Sequence, residues 1–285
     1  MWQRMLRPAT AGPSFYLDSL SPAPRAVLSL RKLISSASQC ARVRRSSDNA
    51  EQDIGFSDGA LDVAALLSFV GSGSAFVTTL YDQTGNGEHL VQATAASQPR
   101  IVNAGVYDGK LVFDGTDDAM RIQALTLGAP QVGLYFRLAL PGTYTTYNML
   151  YELTPEFVSN GPHTFASYHE DGLWTVQSQS TTVPGGVRSH RYDPAPWAAM
   201  GLRTFLYDAS TIGSDQIRAW NNGGFLEPGI LTSTNQSGNY KTGADLFIGS
   251  RADTTFFTSL WLHTLVIYSA DSDAIRTKAE SIISA

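Results

Sequence analysis

The chain has 285 residues and a net charge of −5, with 43% hydrophobic and 16% charged residues. That balance excludes an intrinsically disordered chain and a charge-laced coiled coil. Its acidic excess argues against a protein built to hold phosphate backbones, so no nucleic acid is expected as partner. The single cysteine, Cys40, has no internal disulfide partner, and no Cys/His cluster has zinc spacing; neither a metal nor a cofactor is expected.

In chain order, residues 1–20 show no secondary-structure period. They carry Trp2, Met5, Leu6, Phe15 and Tyr16 between Pro8, Gly12 and Pro13. The opening stretch lacks the apolar run of a signal peptide, and no stretch is long and apolar enough for membrane insertion. Exposed apolar residues in an aperiodic arm predict docking on another protein or a sister subunit, hence a homo-oligomer or larger assembly. A single domain over 21–285 follows. After Pro24, the residues Val27, Leu30, Leu33 and Ile34 predict a first short helix. A second begins at Asp62 as N-cap, with Val63, Leu66, Leu67 and Val70 on one face and Gly71 as the stop. A third closes the chain, capped by Asp271 or Ser272, with Ile275, Ala279, Ile282 and Ile283 as its apolar stripe. Between them, Ala75–Tyr81, Lys110–Phe113, Val132–Leu140, Tyr147–Leu153, Thr164–Tyr168, Leu173–Gln179, Trp197–Asp208, Gln216–Asn221 and Leu260–Tyr268 read as strands, being rich in β-branched and aromatic residues. Turn residues such as Asp108-Gly109, Asp171-Gly172, Gly185-Gly186 and Asn222-Gly223-Gly224 separate them. Many short strands with little helix predict an all-β, antiparallel two-sheet sandwich with two or three short peripheral helices. Both alternating sets of Leu260–Tyr268 are largely apolar, which places that strand centrally.

Few catalytic signatures appear. Gly71-Ser72-Gly73-Ser74 lacks the third glycine of a dinucleotide loop and precedes a strand, and there is no phosphate loop or nucleophile elbow. The five histidines never stand at i,i+4, and His263 reads as a hydrogen-bonded core residue. Arg42-Val43-Arg44-Arg45 reads as a strand with a solvated face and neighbouring acids Asp48, Glu51 and Asp53. Asp114, Asp117 and Asp118 cluster in a turn, where they cap its amides or hold calcium. Glycosidic cleavage requires two carboxylates across the bond, and no strand carries acids at i and i+2; Glu170-Asp171 are adjacent, in a hairpin turn. Trp174 and Trp220 lie beside turns, where a ring can stack on a sugar, whereas Trp197 and Trp261 have apolar neighbours and read as core. In Tyr81–Gly87, Asp82 and Asn86 either bond the turn's own amides or face a ligand.

The stretch from Tyr81 to Ala93, Tyr-Asp-Gln-Thr-Gly-Asn-Gly-Glu-His-Leu-Val-Gln-Ala, resembles a signature of the α-L-arabinofuranosidase B catalytic domain. Arg25–Arg31 and Arg42–Asp48 match segments of that family in order. Val112-Phe113-Asp114-Gly115, Phe247-Ile248-Gly249-Ser250 and Leu265–Tyr268 look like strands of concanavalin-like and laminin-G-like jelly rolls. With Ser46–Phe56 and Gln98–Gly105, the set is also similar to proteins of bacteriophage and prophage tail or spike regions. These resemblances imply a concanavalin-like jelly roll. The phage resemblance implies a virion location: a tail fibre, spike or head-decoration component made in the host cytoplasm. There the N-terminal arm would dock on other virion proteins.

The enzyme family uses a glutamate nucleophile and an aspartate acid. The glutamate region falls near Glu152 and Glu156. Asp253 is the nearest aspartate, although Arg251 lies closer to the expected offset. With Arg251 expected to keep Asp253 ionised, the wrong state for proton donation, the resemblance implies a non-enzymatic, lectin-like structural protein for host cell-surface polysaccharide, with no catalytic residue. Its glycan-binding candidates are Asp82, Asn86, Trp174, Trp220, Asn221, Arg251 and Asp253. The alternatives are an arabinofuranosidase-type hydrolase acting on host polysaccharide and a purely structural jelly roll.

Overall fold

In the computed structural model the described residues are 16–285, apart from 143, 145–146, 154–163, 171, 181–185, 193–196, 211–216, 228–229, 234–239, 241–242 and 271–272. The first half of the chain gives β1 (Ala26–Ser29), β2 (Gln39–Arg45), β3 (Glu51–Ser57), β4 (Ala60–Leu61), α1 (Val63–Val70), β5 (Ala75–Leu80), β6 (Leu90–Val91), β7 (Arg100–Asn103), β8 (Val106–Asp114), β9 (Met120–Leu125) and β10 (Gln131–Ala139). The second half gives β11 (Met149–Leu153), β12 (Thr164–Glu170), β13 (Leu173–Ser180), β14 (Gly186–Tyr192), β15 (Gly201–Asp208), β16 (Ile217–Asn221), β17 (Gly224–Phe225), β18 (Ile230–Ser233), β19 (Ala244–Ile248), β20 (Ser259–Tyr268) and α2 (Asp273–Ser284).

The antiparallel pairings build two layers. One runs β17-β16-β15-β10-β20, with β1 and β8 sharing the far side of β20. The other runs β6-β9-β19-β11-β12-β13-β14-β18. They are hydrogen-bonded into one continuous ladder through β8-β7-β5-β6, and β2 and β3 extend from β5. The inner faces meet in an aromatic core. Phe136 stacks on Tyr151 with centroids 5.3 Å apart, and Phe165 on Tyr207 at 4.9 Å. The Tyr151 and Tyr207 hydroxyls bond each other at 2.7 Å, which keeps two polar tips satisfied inside an apolar layer.

The outer face of the first layer is covered. Tyr135, Leu202, Leu206, Val266 and Tyr268 pack under Ile275, Ala279, Ile282 and Ile283 of α2 and under Leu17, Leu33 and Ile34. At about 1.5–3 kcal/mol per buried large aliphatic side chain, this docking fixes Leu17 and α2 on the same face. The second half of β20, Thr264–Tyr268, is therefore buried on both sides, as its composition predicted, whereas Trp261 and His263 in its first half are half-buried.

α1 and α2 form where their patterns place them. Asp62 caps α1 by accepting from the Ala65 N–H at 2.9 Å, and Gly71 ends it at φ 66°; the proposed caps of α2, Asp271 and Ser272, fall outside the described residues. The expected helix after Pro24 is instead strand β1, with all four residues buried and paired to β20. A short apolar run covered on both sides has no periodicity that separates strand from helix, and tertiary pairing decides. The described end of the expected arm, residues 16–20, belongs to the domain: Leu17 is fully buried, and its N–H donates to the Leu33 carbonyl at 2.8 Å. Residues 1–15, with Trp2, Met5, Leu6 and Phe15, lie outside the described residues.

Candidate active site

Among the described residues, no helix packs on the outer face of the second layer. The ladder registers put Arg121 of β9, Phe247 of β19, Glu152 of β11 and Ala166 of β12 in one row across that face. Strand alternation adds Tyr168 beside Met149, and Gln177 opposite Ala166. Tyr151 and Leu153, which flank Glu152, point into the core instead. Glu152 is thus the acid in an otherwise apolar strand, and alternation turns it to the polar side.

A cavity of about 330 Å³ opens on this face, lined by Tyr147, Met149, Tyr168, Gln177, Arg251 and Phe256. Tyr147 and Phe256 are 44% and 38% exposed, and they meet edge to face with centroids 5.6 Å apart. Two large exposed aromatics at one rim are unlike ordinary surface and offer ring faces to a sugar. Tyr168 donates from its hydroxyl to Gln177 Oε1 at 2.8 Å, which orients the amide at the cavity wall.

Glu152 is 1% exposed. Neither carboxylate oxygen has a hydrogen-bond partner among the described residues, and Arg251 Nε stands 3.4 Å from Oε1. Burial raises its pKa to about 7, and the Arg251 charge only partly opposes this. Arg251 and Asp253 sit in a tight turn after β19. The turn starts at Gly249 (φ +83°), where a Cβ would meet the Phe113 ring at 2.9 Å. Ala252, Asp253 and Phe256 all take left-handed backbone angles, with φ of 53°, 57° and 56°. Such angles in non-glycine residues cost about 1 kcal/mol or more each and persist where the surroundings impose them, often at functional sites. Asp253 Oδ1 is buried without a hydrogen-bond partner among the described residues. Oδ2 lies 3.9 Å from Arg121, which also pairs with Asp245 at 3.6 Å. Burial raises the Asp253 pKa, Arg121 lowers it and Asp245 raises it. The expectation that Arg251 holds Asp253 ionised is corrected: its guanidinium faces Glu152, and burial raises the Asp253 pKa from its ordinary value.

The other expected site residues are not brought here. Trp174 is fully buried, stacked on Trp197 at 5.7 Å, and offers no ring to a ligand. Trp220 is 6% exposed on the first layer, with the Arg276 guanidinium 4.5 Å above its ring. Asn221 is half-buried beside it. The Asp82 carboxylate accepts from the N–H groups of Val27, Thr84 and Glu88 and from the Thr84 hydroxyl, so it holds the turn together. Asn86 donates to the Arg25 carbonyl at 2.9 Å. Arg42 pairs with Glu51 and Asp53, and Arg45 with Asp48, as a solvated face. Asp114 accepts from the Thr116 and Asp117 N–H groups and Asp118 from that of Asp114; these acids cap their turn. His263 is half-buried and bonded to Thr264. Glu156 and Asp171 lie outside the described residues. The sequence reading missed Tyr147, Met149, Tyr168, Gln177, Phe256 and Arg121 as site residues, because they come from separate strands and turns with no shared spacing.

Residues 15–131 match the family model for the catalytic domain of α-L-arabinofuranosidase B. No curated protein matches the chain. Among solved structures, a family 54 α-L-arabinofuranosidase soaked with a cyclic sulfate inhibitor superposes with a TM-score of 0.66 at 16% identity, covering 92% of this chain and 62% of that one. An arabinofuranosidase complexed with arabinofuranosyl-α-1,2-xylobiose gives the same score and identity, covering 95% and 64%. A glutamate-to-glutamine variant of a family 54 enzyme, soaked with 4-nitrophenyl α-L-arabinofuranoside, is equally similar. The chain spans a little under two thirds of the length of these structures, and the likeness shows the fold. The expectation of a non-enzymatic structural protein is overturned, because the segment carrying the sequence resemblance matches a catalytic domain and these neighbours in fold are arabinofuranosidases.

Proposed function

We propose that the chain is a glycoside hydrolase of the arabinofuranosidase type, with its centre at the cavity beside Glu152. The observation that carries this is the Glu152 carboxyl itself. It is almost fully buried, without a hydrogen-bond donor among the described residues, and faces the Arg251 guanidinium at 3.4 Å on the polar face of the sandwich. A stability-neutral carboxylate would be solvated or capped; one held this way is suited to chemistry. In the reading that follows the family's roles, Glu152 attacks the anomeric carbon as the aglycone oxygen departs. Asp253 gives that oxygen its proton and later takes one from water, which then breaks the glycosyl–carboxylate bond. The raised pKa of Asp253 favours the proton-bearing form needed first. Tyr147 and Phe256 supply ring faces at the cavity rim, and Gln177 an amide for sugar hydroxyls.

The test is release of 4-nitrophenol from 4-nitrophenyl α-L-arabinofuranoside. The wild type is expected to turn over, and Glu152→Gln or Asp253→Asn to lose about 10²–10⁴-fold in kcat. An inactive wild type on this and on arabinose-bearing oligosaccharides refutes the proposal. The resemblance to phage tail and spike proteins, carried by Ser46–Phe56 and Gln98–Gly105, supports a bacterial surface polysaccharide as the natural polymer. Reducing-sugar release from such polymers tests that part.

A further inference from the structure

Arg251 is both a wall of the cavity and the cation facing Glu152. Its backbone is held on both sides: its N–H donates to the Thr255 carbonyl at 2.8 Å, and its own carbonyl accepts from the Thr254 and Thr255 N–H groups. The next two residues are left-handed, so the turn has little freedom to carry the guanidinium away from β11. Around Glu152 on this face, β12 offers Tyr168 and β13 the neutral amide of Gln177. β19 offers Asp245, and β9 offers Arg121, whose guanidinium is already turned to Asp245 and Asp253. The turn offers Asp253 and Arg251. Of the cations on this face, Arg251 is the one within ion-pair distance of Glu152 among the described residues.

We propose that Arg251 is a positioning residue, whose guanidinium, fixed by the turn after β19, holds the Glu152 carboxylate in its ionised form and in place beside the cavity. This rests on the reading of Glu152 as the reacting carboxylate. It assigns Arg251 neither substrate binding nor proton transfer. The carboxyl that must attack as an anion lies where burial favours its neutral form, and one guanidinium offsets that cost. A ligand entering the cavity also meets the Arg251 side chain, so occupancy of the cavity and the charge of Glu152 are coupled through a single residue.

The test has two arms on the full chain. The first follows the side-chain carboxyl carbons by NMR as a function of pH, with Glu152 assigned from Glu152→Gln. In the wild type the Glu152 signal is expected to titrate near pH 7. In Arg251→Gln its midpoint is expected to rise by about 1–3 units, the effect of removing an opposite charge at this distance. In Arg251→Lys it should return most of the way. The second arm is the pH profile of kcat/KM on 4-nitrophenyl α-L-arabinofuranoside, whose acidic limb should move with the NMR midpoint. A Glu152 midpoint unchanged in Arg251→Gln, or a shift that Arg251→Lys does not reverse, overturns the proposal. If the wild type hydrolyses nothing, the hydrolase reading fails, while the NMR arm still decides whether Arg251 sets the charge of Glu152. Should Arg251→Gln not fold, Arg251→Met takes its place in the first arm: it keeps an apolar stem without the charge, its midpoint should rise in the same way, and an unchanged midpoint refutes the guanidinium's role.

Discussion

Replacing Asp82 by alanine removes four hydrogen bonds at once. Its Oδ1 accepts from the Val27 N–H at 2.9 Å and the Thr84 N–H at 3.1 Å, and its Oδ2 from the Thr84 hydroxyl at 2.7 Å and the Glu88 N–H at 3.3 Å. Val27 is fully buried in β1, so its N–H gains no water when the carboxylate is gone. An orphaned buried donor costs about 1–3 kcal/mol, and loss of a hydrogen bond to a charged group about 1.5–3 kcal/mol. The partly exposed Thr84 groups recover water and add little. The expected loss is about 3–5 kcal/mol, which for a chain this long lowers Tm by about 5–8 °C. Differential scanning calorimetry at neutral pH measures it directly. Asp82→Asn keeps an acceptor at Oδ1 while losing the charge, so it should fall between wild type and alanine. A Tm for Asp82→Ala within about 2 °C of wild type would refute the reasoning, because no other described acceptor serves the Val27 N–H.

Glu152→Gln should stabilise the fold at high pH. A carboxyl whose folded pKa is raised from 4.5 to about 7 loses stability as pH climbs through that window. At pH 8 the gain is therefore up to about 3 kcal/mol, vanishing at pH 4; urea titrations at the two values check it. His263 acts in the opposite direction. Burial, aided by Arg137 and Arg31, lowers its pKa from 6.5 to about 4, so it contributes stability at neutral pH that is lost as pH falls from 6.5 to 4. His263→Gln should flatten the denaturation midpoint across that range, and an unchanged slope counts against it. Deleting residues 1–20 removes the buried Leu17 and should cost about 2 kcal/mol beyond deletion of 1–15 alone, read by the same calorimetry.

Much of the sandwich was legible because its strands are long and marked. Leu260–Tyr268 and Val132–Leu140 carry β-branched and aromatic residues between clear turns, and both lie within a residue or two of the observed bounds. The helix expected over Val27–Ile34 failed because its apolar spacing also fits a short strand covered on both faces, and pairing of Ala26–Ser29 with β20 decides. Trp174 misled for a related reason: nearness to a turn in sequence was taken as nearness to solvent, yet its ring turns into the core, stacked on Trp197. Glu152 could be noticed as the acid within Met149–Leu153. Its guanidinium partner could not, because the contact depends on β11 pairing with β19. The polarity of that sheet face is likewise a property of the register, invisible until Arg121, Phe247, Glu152 and Ala166 fall into one row.

β20 is the next-to-last element, yet β1, β8 and β10 all hydrogen-bond to it. During synthesis these three strands leave the ribosome long before their common partner exists. β9 similarly waits for β19. A fragment ending near residue 131 would hold β1, β8 and β9 with open edges, which are templates for association with other chains. Closing loops this long before any pairing rewards them makes folding slow. Vectorial translation should therefore yield a long-lived, aggregation-prone nascent chain that closes only once β20 has emerged, and its yield in cells should depend on chaperone supply more than the stability of the folded sandwich implies.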